Sequence, residues 1–262
     1  MDGAVVVAPD GALQAPQPLC ANCSIRPRYT DPATKSQHAF CGRTCAKKAA
    51  SKNPPCLLCQ KAPKCFAPGS SKTMLDYCSD KCRKNASAKG PCLLPIPPSD
   101  PKFQSVSKQF NTTSAQKILA IYKIIMSMSV EQAYKAYRAT IAQRNNGKPN
   151  QQRRFHGTVR RCTLGVAGNT TFCNDPQCRL CLILTGGFKH PTPFTRANAG
   201  VYFAVDSQYS LNYCANQASP RAMILAKIVE GQVGRDCLQP ATNHRVLTTG
   251  AGALPAYLIV FS

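Results

Sequence analysis

The chain has 262 residues, a formal charge of +22 from 33 Lys and Arg against 11 Asp and Glu, and no tryptophan. This length suffices for one full domain with something smaller beside it, and the lack of any run of 18 apolar residues leaves no predicted membrane span. The first residues lack the basic start and long apolar run of a secretory signal, so we expect an intracellular protein, nuclear or cytoplasmic, whose thiols stay reduced.

The positive charge is spread over the whole chain rather than confined to one tail. Such a surface suits polyanionic partners, either DNA or RNA or the phosphates of a dinucleotide, although it also serves solubility alone. Negative side chains are scarce, and Glu131 and Glu230 are the only glutamates in the sequence. A mechanism that needs a catalytic glutamate therefore has almost no candidates.

After residues 1–18, which we expect to be disordered, one cysteine pattern occurs twice. The spacing is C-x2-C-x17-C-x3-C in the first copy and C-x2-C-x18-C-x3-C in the second. Cluster 1 is Cys20, Cys23, Cys41 and Cys45, and cluster 2 is Cys56, Cys59, Cys78 and Cys82. Each second pair follows an aromatic residue, Phe40 or Tyr77, and precedes basic residues, so the repeat extends beyond the cysteines.

Each copy has the ligands of a tetrahedral zinc site. The first pair forms a knuckle that places two thiolates on one ion, and the second pair is expected at the start of a short helix. The two units, 19–50 and 51–88, have too few apolar residues to fold alone, so zinc would supply much of their folding free energy. Their spacing resembles that of treble-clef-like fingers of the TRASH/MYM kind. Buried or redox-active cysteines are the alternative, and Cys65 and Cys92 are left unassigned.

The character of the chain changes after the second unit. Residues 89–102 are rich in Pro, Ser and Lys and are predicted to be an extended linker. From Thr113 to Gln143 apolar residues recur at helical spacing, among them Ile118, Ile121, Tyr122 and Ile125, with Ser129 as the N-cap of a second helix. Four short β-like segments follow, RRFHGTV, AGVYFAV, AMILAKIV and PAYLIVF.

Three motifs lie in these segments. They are RFHGT at 154–158, GVYFA at 200–204 followed by SLNYC at 210–214, and PAYLIV at 255–260. In content and order they resemble the HGT strand, the second signature and the glutamate-bearing last strand of PARP-type (diphtheria-toxin-like, H-Y-E) ADP-ribosyltransferases. The resemblance covers residues 103–262 and implies an α+β fold of split antiparallel sheets with flanking helices, preceded by the two small zinc fingers.

The resemblance also implies that NAD is the substrate and assigns roles by position. His156 would hydrogen-bond the adenosine ribose, and Gly157 with the hydroxyl of Ser210 would hold the nicotinamide carboxamide. Tyr213 would stack on the nicotinamide ring with Tyr202 on its other side, and His156 and Tyr202 also belong to the catalytic set. A flat cationic ring between aromatic faces fits this chemistry. The alternative is that His156 and Tyr202 are ordinary core residues.

The expected catalytic glutamate position holds Ala256. Alanine can neither bind the nicotinamide ribose nor stabilise positive charge as the glycosidic bond breaks, which lowers the rate by about 10²–10³. Glu230 ends a different segment and is not expected to substitute. Two explanations fit Ala256, an engineered change, which we favour because the rest of the pocket keeps its chemistry, or a naturally weak enzyme.

A third cysteine set, cluster 3, lies between the first two motifs. Its spacing C-x10-C-x4-C-x2-C is typical of a metal site, and we predict zinc there also. Its members are Cys162, Cys173, Cys178 and Cys181. Two buried cysteines plus an incidental pair are the alternative. Near His156 stand four arginines that could meet the pyrophosphate of NAD or a polyanionic acceptor, or form a solvated face; they are Arg153, Arg154, Arg160 and Arg161.

The sequence as a whole predicts an ADP-ribosyltransferase that uses NAD and binds zinc. It would transfer ADP-ribose to a protein or nucleic acid and release nicotinamide, as a single unit rather than a polymer, and with Ala256 it would be inactive or weak. The rival prediction is a catalytically inert reader of NAD or ADP-ribose, or a zinc-finger protein that binds nucleic acid. The sequence carries no signal for the oligomeric state.

Overall fold

The computed structural model describes residues 17–189, 200–215 and 217–262. Residues 1–16 of the predicted disordered N-terminus therefore lie outside the described part. The chain forms two units, one up to Arg83 and one from Lys84 to Ser262. Among the described residues, no helix is long and apolar enough to cross a membrane.

The first unit repeats its backbone conformation as well as its cysteine spacing. The residue after the first cysteine pair has a positive φ in both copies, 54° at Ser24 and 55° at Gln60. The N–H of that residue donates to the carbonyl of the first cysteine of the pair, at 2.9 Å from Ser24 to Cys20 and 3.0 Å from Gln60 to Cys56. Both copies thus form the same knuckle.

The second cysteine pair of each copy lies at the start of a helix, as predicted. These helices are α1 (Arg43–Ala50) and α2 (Asp80–Ala88). No residue of α1 is buried, and one apolar cluster of this unit centres on Cys20, Ala39 and Phe40. So small an apolar core fits a unit that depends on metal for its stability.

The second unit combines helices with an antiparallel sheet. Its helices are α3 (Pro101–Asn111), α4 (Met128–Arg144), α5 (Arg179–Gly186) and α6 (Ser207–Leu211), with single 3-10 turns at Val166–Gly168, Asn212–Cys214 and Gly250–Gly252. Its strands are β1 (Cys92–Pro95), β2 (Ile118–Ile125), β3 (Gln151–His156), β4 (Val201–Ala204), β5 (Arg221–Val229), β6 (His244–Leu247) and β7 (Ala253–Phe261). Over the described residues the strand order is β1-β2-β7-β5-β3-β4-β6, and every pairing is antiparallel. This arrangement is compatible with the predicted α+β class.

The centre of the sheet is formed by β5 and β7. They pair along most of their length, from Arg221 opposite Phe261 to Ile228 opposite Ala253. Nearly every residue of both strands is buried. Continuous apolar runs such as AMILA and YLIVF are typical of strands that are covered on both faces, and both strands lie within segments that the sequence analysis predicted to be extended.

The predicted helix over the first part of 113–143 is wrong, because residues 118–125 form β2. This strand lies between β1 and β7, with Ile121 opposite Ile259 and Ile124 opposite Leu93. In an eight-residue apolar run the spacing of a helix and that of a buried strand cannot be distinguished. Its four isoleucines favour the strand, since β-branched side chains pack well on a pleated surface.

The second predicted helix is present as α4, and its start differs by two residues. The N-cap is Ser127 rather than Ser129. Two of its apolar residues, Tyr134 and Ile141, are buried and pack with Val229 of β5. The hydroxyl of Tyr134 also donates to Gln151 at 2.8 Å, which holds α4 against the start of β3.

Residues 89–102, expected to be a linker, supply β1 and the beginning of α3 to the second unit. All four residues of β1 pair with β2. Pro101 opens α3, and the carboxylate of Asp100 accepts a hydrogen bond from the N–H of Lys102 at 2.9 Å. A proline in the first turn behind an aspartate N-cap is a strong helix start, so a proline-rich segment here begins a helix rather than a linker.

The sheet is continuous but nearly divided between β3 and β4. These two strands share one paired position, Phe155 opposite Ala204. In contrast, β3 pairs with β5 at six positions and β4 pairs with β6 at four. The resemblance predicted split sheets, and the structure has one sheet with a narrow junction. The candidate site residues His156 and Tyr202 lie on the two strands that meet at this junction.

Candidate functional site

Clusters 1 and 2 have the geometry of zinc sites. Within each cluster all four Sγ atoms lie within 4.8 Å of one another. The Sγ atoms are 3.9 Å apart in the pair Cys23–Cys41 and 3.7 Å apart in the pair Cys59–Cys78. A zinc ion bound by four thiolates at about 2.3 Å places their sulfurs about 3.8 Å apart. The thiols of both clusters therefore fit zinc.

Cluster 3 fits zinc equally well and lies in the second unit. The Sγ atom of Cys162 is 3.7 Å from that of Cys178 and 3.6 Å from that of Cys181. Cys178 is the N-cap of α5, Cys181 lies within this helix, and both are buried. The backbone N–H of Arg161 also donates to the Cys178 sulfur, at 3.4 Å. A metal ion here would fasten the start of α5 to the chain that follows β3.

A cavity of about 1050 Å³ opens beside the junction of β3 and β4. Its walls come from the end of β3, from β4, from one face of α5, from α6 and the turn after it, and from the first residue of β6. Small-molecule sites commonly measure roughly 300–1000 Å³. The volume therefore admits a ligand as large as a dinucleotide.

The cavity brings together five of the six residues to which the resemblance gives a role in NAD binding or catalysis. They are His156, Gly157, Tyr202, Ser210 and Tyr213, and all line the cavity. They belong to the first two motifs, which are about 45 residues apart in the chain but meet because β3 and β4 are neighbours. The sixth residue, Ala256, does not line it.

His156 is held in one orientation. Its Nδ1 lies 2.8 Å from the carbonyl oxygen of Tyr202, and because a carbonyl can only accept, Nδ1 carries the proton. Its ring packs against Phe188 and Phe203, with centroids 5.1 Å and 5.6 Å away. Burial lowers the pKa of His156, although the hydrogen bond to Tyr202 opposes this change. The neutral ring then presents the lone pair of Nε2 to a ligand.

Gly157 lies where no side chain fits. A Cβ atom at this position would be 2.1 Å from the carbonyl oxygen of Ser210 and 2.9 Å from the Cβ of Tyr213. The glycine thus lets the chain after β3 touch the turn that carries Ser210 and Tyr213. This close approach sets the positions of three of the candidate residues relative to one another.

Two tyrosines expose unusually large aromatic surfaces to the cavity. Tyr202 is 39% exposed and Tyr213 is 54% exposed. The Tyr209 hydroxyl lies 3.4 Å from that of Tyr213, and this hydrogen bond, with burial and the neighbouring hydroxyls of Tyr209 and Tyr202, raises the pKa of Tyr213. All three tyrosines line the same cavity, and we refer to Tyr202, Tyr209 and Tyr213 together as the aromatic slot.

Ala256, which the resemblance placed at the catalytic position, is not among the residues that line the cavity. Ala256 is 2% exposed and lies inside β7, where a register shift leaves it unpaired between Pro255, opposite Ala226, and Tyr257, opposite Leu225. Because β5 separates β7 from β3, Ala256 is about 10 Å from the strand that carries His156.

Several residues around the cavity were missed by the sequence analysis. They are Arg179, Phe188, Lys189, Tyr209 and His244. His244 begins β6, a four-residue strand that no pattern indicated, and Arg179 follows the third cysteine of cluster 3. The sequence signal for these residues was their position next to a recognised feature, either a motif residue or a cysteine with the spacing of a metal site.

The charged residues that line the cavity in the described part of the chain are all basic. Arg179 and Lys189 contribute cations, and the lining includes no aspartate or glutamate. Such a lining attracts an anionic ligand. It also means that a side chain other than a carboxylate must face any positive charge that develops in the ligand.

The four arginines near His156 are engaged elsewhere. Arg153 donates to Ser105 at 3.2 Å and Arg161 forms an ion pair with Asp175 at 3.1 Å. Arg160 is buried and donates to the backbone carbonyls of Leu164, Ala218 and Pro220. None of the four lines the cavity, so they are not its anion-binding groups.

The fourth of them, Arg154, forms an ion pair with Glu230 at 2.7 Å, and Arg245 pairs with the same carboxylate at 3.3 Å. Glu230 is buried and does not line the cavity. Its two ion pairs join β3 to β6 at the level of His156 and His244. The network therefore holds two strands that flank the cavity.

No protein-family model matches this chain. The chain is similar to the human protein named protein mono-ADP-ribosyltransferase PARP14, with 27% identity over 124 residues. The aligned part is 46% of this chain and 6% of the length of that relative. The similarity is distant, and most of the relative has no counterpart in the alignment.

Proposed function

We propose that the second unit binds NAD in the cavity and transfers a single ADP-ribosyl group from it to an acceptor. The observation that carries this proposal is the convergence of His156, Gly157, Tyr202, Ser210 and Tyr213 on one cavity. All five belong to motifs that resemble those of an NAD-using family. The distant similarity to a protein named as a mono-ADP-ribosyltransferase supports the same activity.

The aromatic slot is the binding place for the nicotinamide ring. The ring of NAD is flat and positively charged, and the exposed faces of Tyr202 and Tyr213 attract such a group through stacking and cation–π contact. The neighbouring backbone of Gly157 and hydroxyl of Ser210 offer a donor and an acceptor for the carboxamide. The aromatic slot thus contacts the nicotinamide ring, and Gly157 and Ser210 contact its carboxamide.

The two ribose and phosphate parts of the ligand find partners along the other walls. The Nε2 lone pair of His156 accepts a hydrogen bond from a ribose hydroxyl, because Nδ1 already donates to Tyr202. Arg179 at the start of α5 and Lys189 beyond its end supply positive charge for the pyrophosphate. A uniformly basic lining matches a ligand whose net charge is negative.

In the reaction, the bond between C1′ of the ribose and the nicotinamide nitrogen breaks. The electron pair goes to that nitrogen, so the leaving ring becomes neutral and C1′ becomes an oxocarbenium-like centre. A lone pair of the acceptor, an oxygen, nitrogen or sulfur of a protein or a nucleic acid, then bonds to C1′ and its proton leaves to solvent. The protein's part is to orient the ligand and to exclude water from C1′.

Direct measurement of NAD binding tests the proposal. We expect calorimetry to show binding by the zinc-loaded chain, and Tyr213→Ala to weaken it by about tenfold, since stacking on one aromatic face contributes roughly 1–3 kcal/mol. Tyr29→Ala removes a similarly exposed tyrosine from the first unit and should leave the affinity unchanged. An unchanged affinity in Tyr213→Ala, or no binding at millimolar NAD, would overturn the proposal.

A second candidate function is a reader that binds NAD or ADP-ribose without cleaving it. The observation that favours it is the absence of a carboxylate among the residues that line the cavity in the described part of the chain. The two functions predict the same binding and differ in turnover. Release of nicotinamide from NAD by the native chain distinguishes them.

A further inference from the structure

The place of His244 in the cavity differs from that of every other titratable residue there. His156 uses one ring nitrogen on the Tyr202 carbonyl, and Arg179 and Lys189 belong to the wall formed by α5 and its C-terminal end. His244 instead comes from β6, on the side of β4 away from β3. It is half-buried, with part of its ring open to the cavity.

The register of β4 and β6 places His244 beside the aromatic slot. Tyr202 is paired with Val246, and His244 is paired with Ala204, so His244 is the diagonal neighbour of Tyr202 on the same face of the sheet. Diagonal neighbours lie roughly 7–8 Å apart, within reach of long or aromatic side chains. His244 therefore stands next to whatever Tyr202 covers.

A ring contact also joins His244 to Tyr209, a second tyrosine of the aromatic slot. The centroid of its imidazole is 4.3 Å from that of Tyr209, at an angle of 79°, and Tyr209 in turn contacts Tyr213. The imidazole thus meets the tyrosine edge-on, and the contact fixes the plane of its ring. His244 therefore has one tyrosine of the slot as a ring contact and another as its diagonal neighbour on the sheet.

The ribose attached to a nicotinamide in this slot must leave it at an edge. Positive charge grows on this ribose as the glycosidic bond breaks, and an electron-rich group placed there in advance lowers the barrier. Among the described residues that line the cavity none is a carboxylate, whereas a neutral imidazole offers a nitrogen lone pair. Within residues 17–189, 200–215 and 217–262, His156 and His244 are the imidazoles that line the cavity, and His244 has no side-chain hydrogen bond to a backbone carbonyl there, whereas His156 does.

We propose that His244 is a catalytic residue, whose imidazole nitrogen accepts a hydrogen bond from the reacting ribose and faces its C1′ during bond cleavage. This proposal rests on the proposed function of the cavity. The electron pair of the C1′–N bond still goes to nicotinamide and the acceptor still supplies the new bond, so His244 is neither consumed nor alkylated. Because an imidazole lacks a full negative charge, the reaction in the native chain is slow but not absent.

Replacing the imidazole by a carboxylate is the sharpest test. We expect His244→Glu to raise the rate of nicotinamide release by about 10²-fold or more, the effect of one preorganised electrostatic group, while the dissociation constant for NAD changes less than about threefold. His244→Ala should lower the native rate by about tenfold, the loss of one hydrogen bond. Should His244→Glu fail to fold, His244→Asp introduces the same charge in a smaller side chain.

Thr242→Glu is the matched control. It adds the same charge two residues away at an exposed position that does not line the cavity, so we expect the native rate. Equal rates in the native chain, His244→Glu and His244→Ala, with NAD still bound, would overturn the role of His244 and leave the NAD-binding proposal intact. Absence of NAD binding in the native chain would overturn the proposed function itself.

Discussion

The two units of this chain have different sources of stability. The first unit has short helices, isolated β-bridges and one small apolar cluster around Cys20, Ala39 and Phe40. The second has a seven-stranded sheet in its described part, with β5 and β7 almost wholly buried at its centre. Cysteine spacing was the better guide to the first unit, and apolar runs were the better guide to the second.

Cluster 3 combines a feature of each unit. Its four thiols have the same geometry as those of clusters 1 and 2, and Cys178 and Cys181 also pack in the main apolar core of the second unit. A metal ion there would join an already stable sheet rather than create a fold. Removing metal should therefore have different consequences at the three clusters.

The largest effect on folding should follow from loss of a cysteine of cluster 1 or cluster 2. We expect about three zinc ions per chain, and Cys59→Ser should reduce the number to about two and unfold residues 51–88, because metal binding contributes on the order of 10 kcal/mol to such units. Elemental analysis and NMR would show both changes. Cys65→Ser is the matched control, since the Cys65 thiol donates to the Tyr77 carbonyl and a serine can do the same. A folded second finger without its zinc would contradict this prediction.

The next largest effect tests the apolar centre of the second unit. Ala256→Glu should lower the free energy of unfolding by about 3–5 kcal/mol, since it buries a charge without a partner, and it should not raise nicotinamide release. Thr248→Glu, at an exposed position, should cost little. Urea unfolding of both variants gives the comparison. A gain of activity in Ala256→Glu would support the catalytic position that the resemblance assigns to Ala256.

A smaller effect is expected at cluster 3. Cys181→Ser should release its metal ion and weaken NAD binding by about tenfold, or 1.4 kcal/mol, because the start of α5 loses its attachment while the sheet stays folded. Cys92→Ser changes a cysteine outside the three clusters and should leave both quantities unchanged. Calorimetry and elemental analysis measure the two effects. Full NAD affinity in a metal-free but folded Cys181→Ser would show that α5 needs no metal.

The smallest effect is expected in the pH dependence of stability. Burial opposes ionisation of Asp236, but hydrogen bonds from Arg235, Gln232 and Asn145, together with the charge of Arg144, lower its pKa to about 2. An unfolded aspartate titrates near pH 3.9, so this stabilisation is complete above about pH 4 and is lost as the pH falls through 2.

Asp236→Asn should accordingly lower the free energy of unfolding at pH 7 by about 1 kcal/mol. The difference from the native chain should shrink as the pH falls from 4 to 2, as followed by NMR signals of Val229 and Ile141 in the second unit. A difference that stays constant over this range would show that the charge of Asp236 is not responsible.

Local patterns predicted those parts of the molecule that depend on local spacing. Clusters 1 and 2 and the strands around Phe155, Phe203, Met223 and Ile259 follow from cysteine intervals or from β-rich apolar runs. Gly157 and Ser210 could be selected because their motifs are short and continuous. In each case the information lies within about ten to thirty residues of chain.

The errors arose where position depends on distant strands. Residues 118–125 satisfy both a helical and an extended pattern, and only their place between β1 and β7 decides between them. His244 gains its place from pairing with Ala204, which is 40 residues away in sequence. Ala256 lies in β7, whereas His244, which lines the cavity, begins β6, the strand that precedes β7 in sequence. A local sequence pattern does not indicate which of two strands that follow each other in sequence contributes to a cavity.

The position of cluster 3 at the base of α5 has a consequence for metal exchange. Free energies around a closed binding cycle must balance, so whatever factor the metal adds to the affinity for the dinucleotide, the dinucleotide adds to the affinity for the metal. At equilibrium with a chelator, occupancy of the cavity should therefore raise the affinity for the metal ion of cluster 3 and leave the other two clusters unaffected. The size of this change in affinity measures how strongly helix and ligand are coupled.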